Sequence, residues 1–336
     1  MTVTEAEWRD LEAPQDAPGR SRLRLHPDAP LDVFLSVSHP AQRRMLVLRT
    51  DARSADHIVR SVTRLPSAAG LEMNLSAVSR LEYELQVVLT ADELREVFNP
   101  LVTDVADTVR EAPGASAALT AAVERFERWQ DLLRAVGRDG LGPEARRGLV
   151  GELLLLRDRI LPIVGPAEAV DSWSGPSGAN QDFQLPGVAV ETKTSTARRP
   201  RNIRIASERQ LDDTGTPALL LSLAMLDERR GGSGESLNRL VDRIREQLTS
   251  PAVRAAFDGR LVQVGYLPAQ RDLYEEPRYT LRDLRFWHVR EDFPRIVEAD
   301  LPEGVGDCTY NVSTSGLDQH RATADEVIAL IGGTHA

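Results

Sequence analysis

Residues 181–195 read QDFQLPGVAVETKTS. Pro186 and Gly187 fit the two central positions of a type II turn, where proline fixes φ and glycine supplies a positive φ. If the loop is those two residues, Leu185 faces Val188, Gln184 faces Ala189, Phe183 faces Val190 and Asp182 faces Glu191. The register then sets two carboxylates opposite each other, with Cβ atoms roughly 5 Å apart. Lys193, two residues past Glu191, shares their face because side chains alternate along a strand. Val188, Val190 and Thr192 take the other face, so the hairpin is expected to pack that side inward and hold the acids outward. Two-residue hairpins prefer primed turns, and a longer loop, which would move the acids apart, stays open as an alternative.

Two unit charges about 5 Å apart repel by roughly 3 kcal/mol at an effective dielectric of about 20. Either a cation sits between them or one carboxylate is protonated. One ammonium is a poor clamp for two acids, and a hard divalent ion with oxygen ligands, Mg2+ or Mn2+, is the simplest answer. Lys193 is also the only lysine among 41 basic residues. The bias toward Arg and Ala reads as codon usage in a GC-rich genome, and a lysine kept at one position points to chemistry that a guanidinium does not supply. Upstream, Glu152 lies in GLVGELLLL, with Gly148, Leu149, Leu155 and Leu156 as its neighbours at helical spacing. Its carboxylate therefore sits on an apolar stripe, where charge is costly unless paired, and a third acid facing the same site accounts for it. Downstream, TARRPRNIRIASER brings Arg198, Arg199, Arg201, Arg204 and Arg209 together, and Arg binds phosphate bidentately. The plainer alternatives are a same-face ion pair for Glu191 and Lys193, a cap or half-exposed helix acid at Glu152, and a solvated loop for the arginines.

Working outward, the order of elements around the hairpin is a helix at 143–161, strands at 169–173, 181–185 and 188–194, a short helix near 206–212 and an apolar strand at 218–226. Pro143 suits the first turn of its helix. Residues 1–28, rich in Pro, Asp, Ala and Arg, read as a flexible arm. Strand-like runs at 31–37, 45–48, 71–75 and 81–89 predict an antiparallel sheet, the last alternating Leu81, Tyr83, Leu85, Val87 and Leu89 against Glu82, Glu84 and Gln86, with one face wet and one buried. A helix follows at 90–110, and EAPGAS at 111–116 reads as a break. The expected domains are therefore the arm, an N-terminal sheet domain with a helix at 29–112, a core at 113–230 and a C-terminal α/β extension at 231–336 packed on that core. The extension is expected to hold helices at 235–248, near 251–257 and from about 322, with strands near 261–266, 284–289 and 308–313.

An Asp on one strand, acid-x-Lys on the next and an α-β-β-β-α-β order resemble the PD-(D/E)xK nuclease superfamily, here through Asp182 and Glu191-Thr192-Lys193. The sequence is more specifically similar to an uncharacterised bacterial family of PD-(D/E)xK-motif proteins associated with restriction and phage-defence genes. The likeness covers about 143–226. It implies an α/β core, α+β overall, of restriction-endonuclease-like type, with a mixed sheet flanked by helices beside the N-terminal β-rich domain. It further implies a metal-dependent endonuclease in which Asp182 and Glu191, with the backbone carbonyl of Thr192, hold Mg2+ or Mn2+. Lys193 orients the attacking water or stabilises charge at phosphorus, Glu152 is the acid of the first core helix and Gln210 the Gln of the second. Arg198, Arg199, Arg201 and Arg204 contact the nucleic-acid backbone. Two departures stand out: Gln181 occupies the place of the signature Pro, and no Tyr follows Gln210 at the spacing some relatives use.

Composition narrows the remaining classes. A net charge of −10 excludes a histone-like coat of positive charge but permits a local basic stripe. A single cysteine, Cys308, excludes an intramolecular disulfide framework and a Cys-rich metal cluster. No HExxH, P-loop or GxSxG pattern is present, and no apolar run approaches the ~18 residues of a membrane span. An acidic N-terminus without an apolar core is no secretory signal, and the expected location is the cytoplasm. The expected partners are nucleic acid, DNA ahead of RNA, with a homodimer and defence-operon proteins as further candidates and no membrane. The alternative from another class is a catalytically inactive nucleic-acid-binding or scaffold subunit of a defence complex. A two-carboxylate glycosidase is disfavoured, since such enzymes set their acids across a sugar-sized cleft.

Overall fold

The computed structural model describes residues 3–13, 18–61, 65–68, 70–136, 139–290 and 292–333. The chain divides into two units, Met1–Gly140 with Ala255–Ala269, and Leu141–Arg254 with Gln270–Ala336. This corrects the boundary expected at 112/113. The chain segment after EAPGAS is a helix that completes the first unit, and 255–269 returns to that unit from within the expected C-terminal extension.

In the first unit α1 (Glu5–Leu11) opens with a capping box at Thr4, and β1 (Gly19–Leu25) pairs along its length with β2 (Asp32–His39). The described residues of the expected arm thus form a helix and a strand, with residues 1–2 and 14–17 outside the described ones, and the segment carries an anchor: Trp8 is buried and its indole N–H donates to Asn99 Oδ1 at 2.7 Å. Then come β3 (Arg43–Asp51), α2 (Ala52–Ser61), β4 (Ser67–Ala68), β5 (Leu71–Ala77) and β6 (Glu82–Leu89), followed by α3 (Arg95–Glu111) and α4 (Ala115–Val136). The six strands form an antiparallel sheet in the order β1-β2-β3-β6-β5-β4. Val33, Leu35, Leu46, Leu48, Leu85 and Val87 form one core with Val105, Val109, Leu119, Val123 and Phe126 of the paired helices. The opposite face of β6 is not wet as its alternation predicts: Glu84 and Gln86 are buried. Arg20 and Arg22 of β1 and Arg49 of β3 reach Glu84 at 2.8, 2.9 and 3.5 Å. Arg22 and Arg49 also lie against the ring of Phe34.

In the second unit Pro143 occupies the first turn of α5 (Pro143–Leu155). The helix runs through a π turn at Leu156–Ile160 into α6 (Leu161–Val164), and α7 (Pro166–Ser172) follows. The strand expected at 169–173 is therefore a helix, started by Pro166 after Gly165. Next are β7 (Phe183–Gln184), β8 (Ala189–Ser195), β9 (Asn202–Ile205) and β10 (Leu219–Arg229). The helix expected at 206–212 is a chain of turns. Beyond β10 lie α8 (Leu237–Gln247), α9 (Pro251–Gln263), which belongs to the first unit from Ala255 on, β11 (Arg278–His288), β12 (Tyr310–Ser313) and α10 (Ala324–Ile331). The expected strand at 261–266 is absent, because α9 runs on to Gln263.

The main sheet of this unit has the order β11-β10-β8-β7, with β8 and β10 parallel and the other pairs antiparallel; β9 and β12 pair separately. This is the expected mixed sheet, with helix α5 on one face and the small sheet on the other. Strand β10, LLLSLAMLDER, is buried at its first eight positions, as a strand covered on both faces must be. Leu219, Leu221, Leu223 and Met225 pack with Ile203, Ile205 and Val312 of the small sheet. The other face receives α5 at close range, since a Cβ on Gly151 would stand 2.2 Å from Thr194 Cγ2 and 3.7 Å from Ala224 Cβ. Among the described residues, no helix is long and apolar enough to cross a membrane.

Candidate active site

The hairpin forms in the register read from its sequence. Phe183 pairs with Val190 and Gln184 with Ala189, and Leu185 and Val188 exchange backbone hydrogen bonds around Pro186-Gly187. Asp182 precedes the paired residues, and its Oδ2 accepts from the Thr192 N–H at 2.7 Å. The expectation that the acids face outward does not hold, because β8 lies inside the sheet with both faces covered: Glu191 is 1% exposed. Asp182 and Glu152 keep part of their surface open.

Alternation along β8 separates two jobs. Thr192 and Thr194 face α5, where the Thr192 hydroxyl accepts from Ser222 Oγ at 3.1 Å. Glu191 and Lys193 take the other face. Lys193 Nζ lies 2.6 Å from Glu191 Oε1 and donates to Gln210 Oε1 at 2.8 Å. Gln210 also accepts from the Ala206 N–H at 2.9 Å, so the amide is held from two sides. The second carboxylate oxygen of Glu191, Oε2, is buried without a hydrogen-bond partner.

Glu152 reaches the same place from α5. The close contact at Gly151 is what allows its helix to approach β8. Its Oε2 accepts from the Trp173 indole N–H at 2.8 Å. Both Glu152 Oε2 and Asp182 Oδ1 lie within 3.5 Å of the point a Gly175 Cβ would occupy, so a side chain at 175 would crowd the two acids. The backbone N–H groups of Ser174 and Gly175 donate to the Asp182 carbonyl at 2.9 and 3.0 Å, fixing the loop over the site. The sequence pattern alone reads Trp173 as core packing or a lid contact and Gly175 as part of a turn, and places neither them nor Gly151 in the site. The usable signal is a Trp whose N–H must find a partner when buried, followed directly by Ser-Gly.

The electrostatics follow from crowding three carboxylates around one ammonium. Burial pushes the Glu191 carboxyl up to about 8, with the Asp182 charge adding and Lys193 opposing. Burial raises Asp182 to about 6 against the pull of the Thr192 N–H and Lys193. Glu152 is held well above the usual carboxylate range by burial and then by Asp182, with the Trp173 hydrogen bond working against them. Fully ionised, the group of Glu152, Asp182, Glu191 and Lys193 lacks two positive charges.

A divalent cation fits that deficit and the hard oxygen donors present. Among the described residues, no group of three or more His, Cys, Asp and Glu side chains stands at metal-ligating spacing. Mg2+ does not require one, since it is commonly held by one or two carboxylates with water and substrate phosphate. The orphaned Glu191 Oε2 is the atom such an ion would satisfy.

Arg198, Arg199, Arg201 and Arg204 are all exposed, the last flanked on β9 by the buried Ile203 and Ile205. None of these four guanidinium groups has an acidic partner among the described residues. Arg209 differs, lying 3.4 Å from Glu298 and 3.9 Å from Glu208.

A family model described as "Putative PD-(D/E)XK family member, (DUF4420)" matches residues 4–315. No curated protein and no solved structure matches the chain. The match runs through both units and takes in the hairpin, Glu152 and the turn that carries Gln210, and the chain belongs to this PD-(D/E)XK family.

Proposed function

We propose that the protein is an Mg2+-dependent nuclease that hydrolyses phosphodiester bonds, with DNA as its substrate in a restriction or phage-defence setting. The observation that carries this reading is the meeting of Asp182, Glu191, Glu152 and Lys193, with the Glu191 Oε2 oxygen left unsatisfied. Asp182, Glu191 and the Thr192 carbonyl would hold the ion. When bound, the cation supplies Lewis acidity toward the scissile phosphate and lowers the pKa of a water molecule.

The chain's own residues set the rest. Gln210 and Glu191 hold the Lys193 ammonium from two sides, so it stands where it can orient the attacking water or meet charge developing on phosphorus. Glu152, fixed by Trp173, is placed to accept a proton or orient that water. Arg198, Arg199, Arg201 and Arg204 bind backbone phosphates, which positions the substrate without reading its sequence.

The test is incubation with supercoiled plasmid, single-stranded DNA and RNA in Mg2+ or Mn2+, comparing wild type with Asp182→Ala. Metal-dependent nicking by the wild type alone supports the reading. Cleavage that survives the substitution removes the site, and metal-independent DNA binding without cleavage by either form favours a scaffold subunit.

A further inference from the structure

We infer that Gln181, the residue standing where the family signature has proline, is a positioning residue that holds Gln210 against the Lys193 ammonium. The inference rests on Lys193 being part of the nuclease site proposed above. Gln181 is buried, and its Nε2 donates toward three backbone carbonyls of one turn: Arg209 at 3.1 Å, Asp212 at 3.2 Å and Gln210 at 3.5 Å. The carbonyl in the middle of that run, Leu211, accepts instead from Arg295 Nη1 at 2.7 Å. The turn has no helical ladder, so these side chains take the place of the hydrogen bonds a helix would supply.

The geometry joins two parts of the site. The backbone carbonyl of Gln181 accepts from Ser174 Oγ at 3.0 Å, which ties it to the loop over Asp182. Its side chain grips the turn whose Gln210 accepts from Lys193 at 2.8 Å. Residue 181 is therefore tied by its backbone to the loop over Asp182 and by its side chain to the turn that presents the partner of the Lys193 ammonium. Proline has no side-chain donor and could not make this link. Gln181 itself touches no reacting group; it acts through Gln210.

The single lysine permits a test that does not depend on turnover. Selective 15N labelling of lysine gives one side-chain ammonium resonance, that of Lys193. Gln181→Met, which keeps the length and removes the donor, should move this resonance in the direction that Gln210→Ala moves it. The double variant should match Gln210→Ala alone. In the cleavage assay Gln181→Met should lower kcat by about ten- to a hundred-fold with KM for plasmid unchanged, again without adding to Gln210→Ala. A resonance that stays at its wild-type position, or shifts that add in the double variant, would overturn the proposal. If circular dichroism shows Gln181→Met unfolded, Gln181→Leu, which also removes the donor, is read the same way; if both unfold, the role is structural and the proposal falls. A wild type that never cleaves counts against the nuclease reading and leaves the lysine signal to decide this one.

Discussion

Glu84 in the first unit and Glu191 in the second are equally buried, each 1% exposed, yet their surroundings are opposite. Glu84 is met by Arg20, Arg22 and Arg49 and receives a further hydrogen bond from Gln86 at 3.0 Å, so its carboxyl is held below the usual range. Glu191 has one ammonium, an unsatisfied oxygen and the neighbouring charges of Asp182 and Glu152, and its carboxyl is pushed up to about 8. The first arrangement is complete as folded and ties β1 and β3 to β6. The second leaves a charge deficit open, which the proposed cation would fill. Burial of an acid therefore says little by itself; what separates structure from chemistry is whether the protein supplies the compensating charge.

Lys193→Arg tests the functional cluster most severely. A guanidinium keeps the charge but not the compact ammonium that fits between Glu191 and Gln210. Cleavage should fall by at least about a hundred-fold, with the melting temperature within a few degrees of wild type; wild-type turnover would show that position 193 needs only a positive charge.

The two glutamates should respond to neutralisation with opposite signs. Glu84→Gln leaves three arginines short of their anion and should destabilise the protein by about 3 kcal/mol, measured by chemical denaturation. Glu191→Gln removes a charge that its surroundings oppose, and at pH 8 without divalent cations it should leave the protein as stable as wild type or more so. Matching losses in both would erase the distinction.

Gly151→Ala probes the approach of α5 to β8. The added methyl meets Thr194 Cγ2 at 2.2 Å, so the helix must shift, at a cost of about 1–3 kcal/mol. Because Glu152 is the next residue, activity should fall further than stability, and an unchanged rate would show that Glu152 need not be held closely.

The smallest effect is a pH trend. The folded-state pKa values of Glu191 and Asp182 are raised, so the folded protein binds more protons than the unfolded chain between the ordinary carboxylate range and pH 8. Their contribution is fully present below about pH 4 and is lost as pH rises through about 6 and then about 8. Metal-free melting temperatures should therefore drop from pH 5 to pH 8, and Mg2+ should flatten the drop; a metal-free curve that rises over that range would contradict the shifts.

Much of the site is legible in the sequence because its signal is local. Pro186-Gly187 sets the hairpin register, Glu191 and Lys193 follow by alternation, and Glu152 stands out as a charge on an apolar stripe. The rest depends on contacts distant in sequence. Glu84 reads as solvent-facing because its three arginines lie on β1 and β3, and no period-two pattern within β6 records them. Residues 169–173 read as a strand because a short apolar run fits either state, and Pro166 at the start of α7 decides it. Residues 206–212 read as helical, but Gln181 and Arg295 satisfy the carbonyls from outside. The arm at 1–28 reads as loose from its polar composition, which one buried side chain, Trp8, outweighs.

The most direct measurement is calorimetric titration of the metal-free protein with Mn2+ at pH 8. The account predicts a divalent cation bound by the wild type and by Glu84→Gln, lost in Asp182→Asn and Glu191→Gln, and weaker at pH 6, where protons compete for the same oxygens. Absence of binding by the wild type, or binding that survives both substitutions at the site, would contradict it.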